Sequence, residues 1–545
     1  MMLQSTVSQS LLQNRHVYLS SSTSHSSSLP STFRGSVSFQ GVNNIGFPVV
    51  RYKISNAFGN KTVDYEKRPP QQLKWNGIFK KLSLMEDPKK GAASVLNHLE
   101  KEGKLISKWE LSRVIKELRK FRRFKIALEV YQWMNNRAER FRTTSSDTAL
   151  QLDLIAKVHG IAIAEEYFQK LPDKIKDKRT YGALLNSYGK IKMKEKAELL
   201  LDDMKSKGYA NHCLPMNVMM TMYMSLKEFD QVDAIISDMK QKRLPLDLYS
   251  YNIWLSSYGS RDSVEGMERV FNEMQQDATI NPNWTTFSTM ATMYIKLRQH
   301  EKGVICLKEV ESRITGRDRI PYHYLISLYG NMGNKEEVGR IWGIYKSIFP
   351  IATNLGYHTM ISSLVRLDDI EWALTVYEEW LSVKTSYDPR IVNLLMGWHV
   401  RNGKMEKAEE LFNHMAKTGG KPNAASWEIL AEGRIQENRG SDALSCLKEA
   451  VATIVESNNW KPKPVNVASI LKLCEKEEDS VSKEGLFELM KKTKCFEDAG
   501  YMSYIPLDGK EFKMIQAEAG DDDYEEHNQE GEDVEEEAET LVIQL

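Results

Sequence analysis

Residues 248–274 read LYSYNIWLSSYGSRDSVEGMERVFNEM. Tyr251, Leu255 and Tyr258 follow an i, i+4, i+7 spacing and share one helix face, while Met267, Val270, Phe271 and Met274 make a second apolar stripe at helical spacing. Neither half alternates with period two, so a strand is disfavoured. The pattern returns along the chain: Tyr188, Tyr223, Tyr258, Tyr294 and Tyr329 stand 35, 35, 36 and 35 residues apart. Seven residues ahead of each come Tyr181, Met216, Tyr251, Phe287 and Tyr322. Nine beyond come Ala197, Val232, Met267, Gly303 and Val338, and sixteen beyond come Met204, Met239, Met274, Val310 and Tyr345. The register continues through Ala127 and Ala164 upstream and Ala373, Ala408 and Ala443 downstream. Turn residues Gly208, Pro245, Pro282, Gly419 and Pro422 fall between units. Two short helices cannot cover their own apolar face, so neighbouring units must stack and share a continuous core. The expected fold is all-α, an α-solenoid of about eleven helix-turn-helix repeats forming a superhelix with a concave inner surface.

The charge balance conceals three unlike parts. The 545 residues carry 74 Lys+Arg and 74 Asp+Glu, a formal net charge of zero. Residues 1–63 hold no acid and five bases, with serine runs at Ser20-Ser21-Ser22 and Ser26-Ser27-Ser28, a composition that reads as an organelle transit peptide. Serine outweighs arginine there, which favours chloroplast, with mitochondrion as the alternative. Residues 516–545 hold thirteen acids and no Lys or Arg, and cannot bury enough apolar surface to offset ordering entropy. The remaining body, 64–515, has 69 bases against 61 acids and is modestly basic. No apolar run is long enough to span a membrane. Cys213, Cys306, Cys446, Cys474 and Cys495 are scattered without a C-x-x-C pair, which argues against a zinc site or a disulfide framework.

Several segments resemble pentatricopeptide repeats of the P class, found chiefly in plant organelles: RTYGALLNSYGKIKMKEKAELLLDDMKSKG (179–208), the opening stretch at 248–274, NLGYHTMISSLVRLDDIEWALTVYEEW (354–380) and PRIVNLLMGWHVRNGKMEKAEELFNHMAKTGGKPN (389–423). The resemblance covers about 108–498, with units at 108–144, 145–177, 178–212, 213–247, 248–283, 284–318, 319–353, 354–388, 389–423, 424–463 and 464–498. The organisation expected is a transit or disordered segment at 1–63, an N-terminal helical cap at 64–107 around Ala92–Leu105, the repeat array at 108–498 and an acidic disordered tail at 499–545.

Two columns of residues bear on function. The first closes each first helix and holds Lys120, Lys157, Lys190, Lys296, Arg366 and Arg401, with Ser225, Ser260, Asn331 and Gln436 in other units. A basic residue recurring at one helical phase matches a phosphate backbone, although helix C-termini favour cations in any case. The second column directly follows the aromatic that opens each helix: Gly182, Asn217, Asn252, Ser288, His323, His358 and Asn393. These side chains offer donors and acceptors to a base edge, one base per repeat.

The resemblance implies that this residue and the last of the same repeat jointly select the base. The last residues are His212, Asp247, Asn283, Asp318, Thr353, Asp388 and Asn423. Asn217 with Asp247 then implies uracil, Ser288 with Asp318 guanine, and Asn252 with Asn283, or Asn393 with Asn423, a pyrimidine. His323 with Thr353, His358 with Asp388 and Gly182 with His212 depart from the usual pairs. Leu214, Tyr249, Thr285, Ile320, Leu355 and Arg390, three residues earlier, could flank a base or serve as inter-repeat core.

No zinc-deaminase pattern, phosphate-binding G-x-x-x-x-G-K-[ST] loop or G-x-S-x-G elbow occurs, so no catalytic residue, cofactor or metal is expected. The expected function is non-catalytic, sequence-selective binding of single-stranded organellar RNA, supporting its stabilisation, processing or translation. The alternative is an α-solenoid scaffold for proteins, with partners on the solenoid surface or the acidic tail.

Overall fold

Two features of each unit decide where its helices start and turn. The last residue of one unit caps the first helix of the next. The side chains of Asp177, Asp247, Asn283, Thr353, Asp388 and Asn423 each accept a backbone N–H from the first turn that follows, as Asp247 does from Ser250 at 2.7 Å. Between the two helices of a unit the chain passes through a left-handed residue. This place is held by Lys192, Lys227, Asp262, Arg298, Asp368 and Asn438 as well as by Gly333 and Gly403. A side chain there costs about 1–2 kcal/mol relative to the right-handed region, so the turn is imposed by packing on both sides rather than by glycine. Between units, Gly208 and Gly419 take a positive φ, a conformation that glycine adopts without steric cost.

The computed structural model describes residues 72–83, 85, 91–104, 106–453 and 460–502, and every regular element among them is a helix. The expected transit segment and the acidic run at 516–545 lie outside the described residues. Eleven helix pairs follow one another from Lys108 to Lys492. Their first helices are Lys108–Lys120, Ser145–His159, Lys178–Lys190, Cys213–Ser225, Leu248–Ser260, Trp284–Lys296, Ile320–Asn331, Asn354–Arg366, Pro389–Arg401, Ala424–Gln436 and Pro464–Lys476. A further pair, Gln72–Ser83 and Gly91–Lys101, stacks in front of them, burying Ile78, Leu82, Leu96 and Leu99. Both helices fall within 64–107, the stretch expected to form an N-terminal helical cap around Ala92–Leu105. At the other end the packed chain runs past 498: Ala499–Met502 forms a helical turn, and the buried Tyr501 donates its hydroxyl to Pro462 O.

From Ser145 onward, consecutive first helices pack directly on one another, while the second helices between Lys194 and Lys417 pack on first helices rather than on each other. First helices thus make the tighter, inner layer of the α-solenoid, and second helices the outer one. The tyrosine column joins the layers. Tyr223, Tyr294 and Tyr329 bury their rings between repeats, and each hydroxyl reaches a carboxylate on the preceding second helix: Glu198 at 2.6 Å, Glu268 at 3.0 Å and Glu311 at 3.2 Å.

Candidate nucleic-acid interface

The polar column lies in the first turns of the inner helices, and the basic column eight residues further along. That spacing corresponds to about 12 Å of helix rise and roughly 80° of rotation, so the two columns run side by side along the inner layer. The cap that starts each helix brings the last residue of a repeat next to the polar residue of the same repeat, because both flank the junction of two stacked first helices.

In repeat 213–247 this juxtaposition becomes a bond: Asn217 Nδ2 lies 3.1 Å from Asp247 Oδ1 and 3.3 Å from Oδ2. Burial alone would raise the Asp247 carboxyl, but hydrogen bonds from the Ser250 N–H, the Cys213 thiol and the Asn217 amide hold it below the usual range. Burial, reinforced by Asp247, in turn pushes the Cys213 thiol up to about 12. In repeat 389–423, Asn393 Nδ2 donates to Asn423 Oδ1 at 3.1 Å. Repeat 248–283 makes the link indirectly: Asn252 Nδ2 donates to Thr285 Oγ1 at 3.1 Å, which lies 2.5 Å from Asn283 Oδ1.

Of the remaining four pairs, Gly182 has no side chain to offer His212, and the other three are not joined. Ser288 Oγ is buried with no hydrogen-bond partner among the described residues, and Asp318 accepts the Ile320 N–H at 3.0 Å. His323 is 8% exposed, with Nε2 3.5 Å from the Tyr345 hydroxyl, while Thr353 caps its helix through the Gly356 N–H. His358 is half-buried, and burial followed by the Arg390 charge holds its pKa down. Arg390 occupies both Asp388 oxygens, with Nε at 3.1 Å and Nη2 at 2.9 Å. Asn217 itself is only 2% exposed and Asn393 9%, so these amides form the floor of the inner surface rather than project from it.

The basic column divides as well. Lys120, Lys190, Lys296, Arg366 and Arg401 are exposed and are each the last residue of a first helix. Lys296 lies 3.2 Å from the exposed Asp262 in the preceding turn, and Arg366 donates to Ser327 and Ser363 at 3.2 and 3.3 Å. Lys157 differs. Its helix runs two residues beyond it, to His159, and its ammonium sits 3.1 Å from Asp153 and 4.7 Å from the Phe124 ring centre. Asp153 also takes Arg119 at 3.0 Å. Burial pulls the Lys157 pKa down against the opposing Asp153 charge. Of the base-flanking set, Leu214 is exposed, and Tyr249 places its hydroxyl 3.3 Å from Thr221 Oγ1.

Two contributors escaped the sequence reading. The capping function of the last residue was one; the S/T/D/N preference at helix starts was the available signal. The other is the serine three residues after the cap, Ser250 or Ser426, which is fully buried beside the paired amide. Among the described residues no His, Cys, Asp or Glu cluster could hold a metal ion, and no helix is long and apolar enough to cross a membrane.

Comparison with known proteins agrees with this architecture. A PPR repeat family model matches residues 390–434, and a PPR repeat model matches 179–209, 249–277 and 357–383. A pentatricopeptide repeat-containing protein of Arabidopsis thaliana is 57% identical over 500 residues, covering 92% of this chain and 94% of its own. A large ribosomal subunit protein of the same plant, mL101, is 44% identical over 397 residues, covering 73% of this chain and 80% of its own. A third, a mitochondrial pentatricopeptide repeat-containing protein of that plant, is 33% identical over 434 residues, covering 79% and 86%. The crystal structure of PPR10 in complex with an 18-nt psaJ RNA element aligns at TM-score 0.44 and 16% identity, over 78% of this chain and 61% of that one. The chain belongs to the pentatricopeptide repeat family.

Proposed function

We propose that the array binds single-stranded RNA in a plant organelle without catalysing a reaction. The basic column holds the backbone and the polar column selects bases. The observation that carries this reading is the recurrence of one arrangement in two separate repeats: an inner-helix amide bonded at 3.1 Å to the last residue of its own repeat, in Asn217–Asp247 and Asn393–Asn423. The bases expected are uracil for 213–247, guanine for 284–318 and a pyrimidine for 248–283 and 389–423. Such a bound segment would shield RNA from nucleases or remodel it for processing or translation. The acid-free, serine-rich start supports an organelle, with chloroplast as the reading of its composition; the mitochondrial relative supports the alternative.

A second reading, a scaffold within a larger assembly, is favoured by the 44% identity to a large ribosomal subunit protein and by the burial of Asn217 and His323. Equilibrium binding of the full chain to a randomised single-stranded RNA pool separates the two. Enrichment of a defined motif supports base reading; recovery of the input pool unchanged, with the chain co-sedimenting with organellar ribosomes, supports the scaffold.

A further inference from the structure

Two buried serines tie the paired amides into the same three-way network. In repeat 213–247, Asn217 faces the Asp247 carboxylate, which can only accept, so the amide atom at 3.1 Å must be Nδ2. The opposite end of the amide, Oδ1, lies 2.7 Å from Ser250 Oγ. That hydroxyl has one proton to give. Ser250 Oγ also lies 2.8 Å from Asp247 Oδ1, but that oxygen has two other donors, the Ser250 backbone N–H at 2.7 Å and Asn217 Nδ2 at 3.1 Å. Ser250 is the one donor to Asn217 Oδ1 among the described residues, so the proton serves the amide.

Repeat 389–423 builds the same network without a carboxylate. The Ser426 backbone N–H, 2.9 Å from Asn423 Oδ1, fixes that atom as an acceptor, and Asn393 Nδ2 must therefore face it at 3.1 Å. Ser426 Oγ lies 2.8 Å from both Asn393 Oδ1 and Asn423 Oδ1. The latter already accepts the Ser426 N–H and the Asn393 amide, whereas Asn393 Oδ1 has no other donor among the described residues, so the proton serves Asn393. Both serines are fully buried, so no water competes for the hydroxyl.

Repeat 248–283 has nearly the same parts and a different outcome. Thr286 stands where the serines stand, yet Thr286 Oγ1 and Asn252 Oδ1 are both buried without a hydrogen-bond partner, and the amide turns to Thr285 instead. Threonine is branched at Cβ and stiff about χ1, whereas a serine hydroxyl rotates to meet its acceptor.

We infer that Ser250 and Ser426 are positioning residues that lock the amides of Asn217 and Asn393 with their carbonyls turned inward, so that the second Nδ2–H of each is the group offered to the RNA, where it selects a base edge presenting an acceptor such as a pyrimidine carbonyl oxygen. This rests on the base-reading function proposed above. It also assigns the selectivity of a repeat partly to its neighbour, since each serine belongs to the repeat that follows.

The test is selection from a randomised single-stranded RNA pool by the full chain, comparing wild type with Ser250→Ala, Ser426→Ala and Thr286→Ser. Each alanine variant should lower the pyrimidine-over-purine preference at one nucleotide by roughly two- to tenfold, the worth of one hydrogen bond, and leave the other positions unchanged. The two affected nucleotides should lie five apart, one per repeat. Thr286→Ser should sharpen the preference at the nucleotide adjacent to the one that Ser250→Ala affects, a gain that a purely structural role would not produce. Wild-type preference that survives both alanine substitutions overturns the lock while leaving base reading intact; a wild type with no positional preference overturns both. Should either alanine variant unfold, as a thermal melt would reveal, Thr286→Ser decides alone: no sharpening rejects the lock.

Discussion

Replacing Arg401 should flatten the salt dependence of RNA binding, and replacing Lys157 should not. Both occupy the same column of the repeat, so the difference comes from their surroundings. Arg401 is exposed at the end of its helix. Lys157 is held against Asp153, a carboxylate that also carries Arg119, and lies over Phe124. Lys296 is an intermediate case: its pairing with Asp262 is between exposed groups, a kind worth about 0–1 kcal/mol, so a phosphate can take the place of the carboxylate. On the proposed function, five exposed cations of this column can meet phosphates: Lys120, Lys190, Lys296, Arg366 and Arg401. Each neutralised phosphate on a single strand contributes about 0.7 to the slope of log K against log salt, which predicts a slope of about −3.5 and a loss of about 130-fold between roughly 50 and 200 mM salt. Arg401→Gln should reduce the slope to about −2.8, and the loss over the same range to about 50-fold. Lys157→Gln should leave the slope within about 0.2 of wild type. Fluorescence polarisation of a labelled 20-nucleotide RNA, titrated at five salt concentrations, measures all three. Equal slopes for the two variants, or a wild-type slope near zero, would refute the account of the basic column.

Four other outcomes follow from the same geometry. His323 titrates at about 4 because burial, and then the Arg319 charge, disfavours its protonated form, against 6.5 for the free side chain; the folded protein thus binds fewer protons between those values, and stability is lost as pH falls from 6.5 towards 4. His323→Asn should remove about 2 kcal/mol of the acid sensitivity at about pH 5, seen as a smaller drop in Tm between pH 7 and pH 5 than wild type shows. A Cβ on Gly259 would fall 2.3 Å from Met293 Cγ, between adjacent first helices, so Gly259→Ala should destabilise by about 1–3 kcal/mol in thermal melts. Gly343 has open space around it within Lys335–Ile348, and Gly343→Ala should stabilise by about 0.5–1 kcal/mol in the same assay. Asp177→Ala removes the side-chain cap on Arg179 and Thr180 and should cost about 1 kcal/mol, with Asp177→Asn retaining most of the stability.

Much of the array was legible because a repeat imposes its register at every level. A helix pair that must stack on an identical neighbour cannot shift its apolar face, so the tyrosine and alanine columns located Lys178–Lys190, Cys213–Ser225 and Leu248–Ser260 to the residue. Gln72–Ser83 was harder to read although it starts thirty-six residues ahead of Lys108: Leu82 stands where later repeats carry a tyrosine, and Gly77 and three lysines blur its apolar stripe. The candidate site was legible as columns but not as contacts. Position along a helix says which residues lie near one another, whereas whether Asn217 bonds to Asp247 or Ser288 leaves its hydroxyl unpaired depends on rotamers and on the neighbouring repeat. Lys157 shows the limit most plainly, since two extra residues of helix change the environment of a side chain that the column had placed with Arg401.

The unusual histidine repeat becomes coherent through residues that no single column would have connected. In the column of Met204, Met239, Met274 and Val310, Tyr345 is the large member, and its ring needs room. Gly356 supplies it: a Cβ there would fall 2.8 Å from the Tyr345 hydroxyl. Gly356 occupies the place taken by Ser250 and Ser426 elsewhere, so this junction has no hydroxyl to orient an amide. A histidine in the polar position instead packs on the tyrosine, ring centres 5.4 Å apart, and stays neutral near pH 7 because protonation would require taking a charge into that site. Tyr345, Gly356 and His323 are thus one set of mutually dependent choices that closes the junction with an aromatic pair. In the next repeat Arg390 performs a comparable closure on Asp388, engaging both carboxylate oxygens. On the proposed function, base selection is then interrupted over 319–388, where Arg366 still offers a cation to the backbone, and resumes at 389–423, where the serine and the paired amides return.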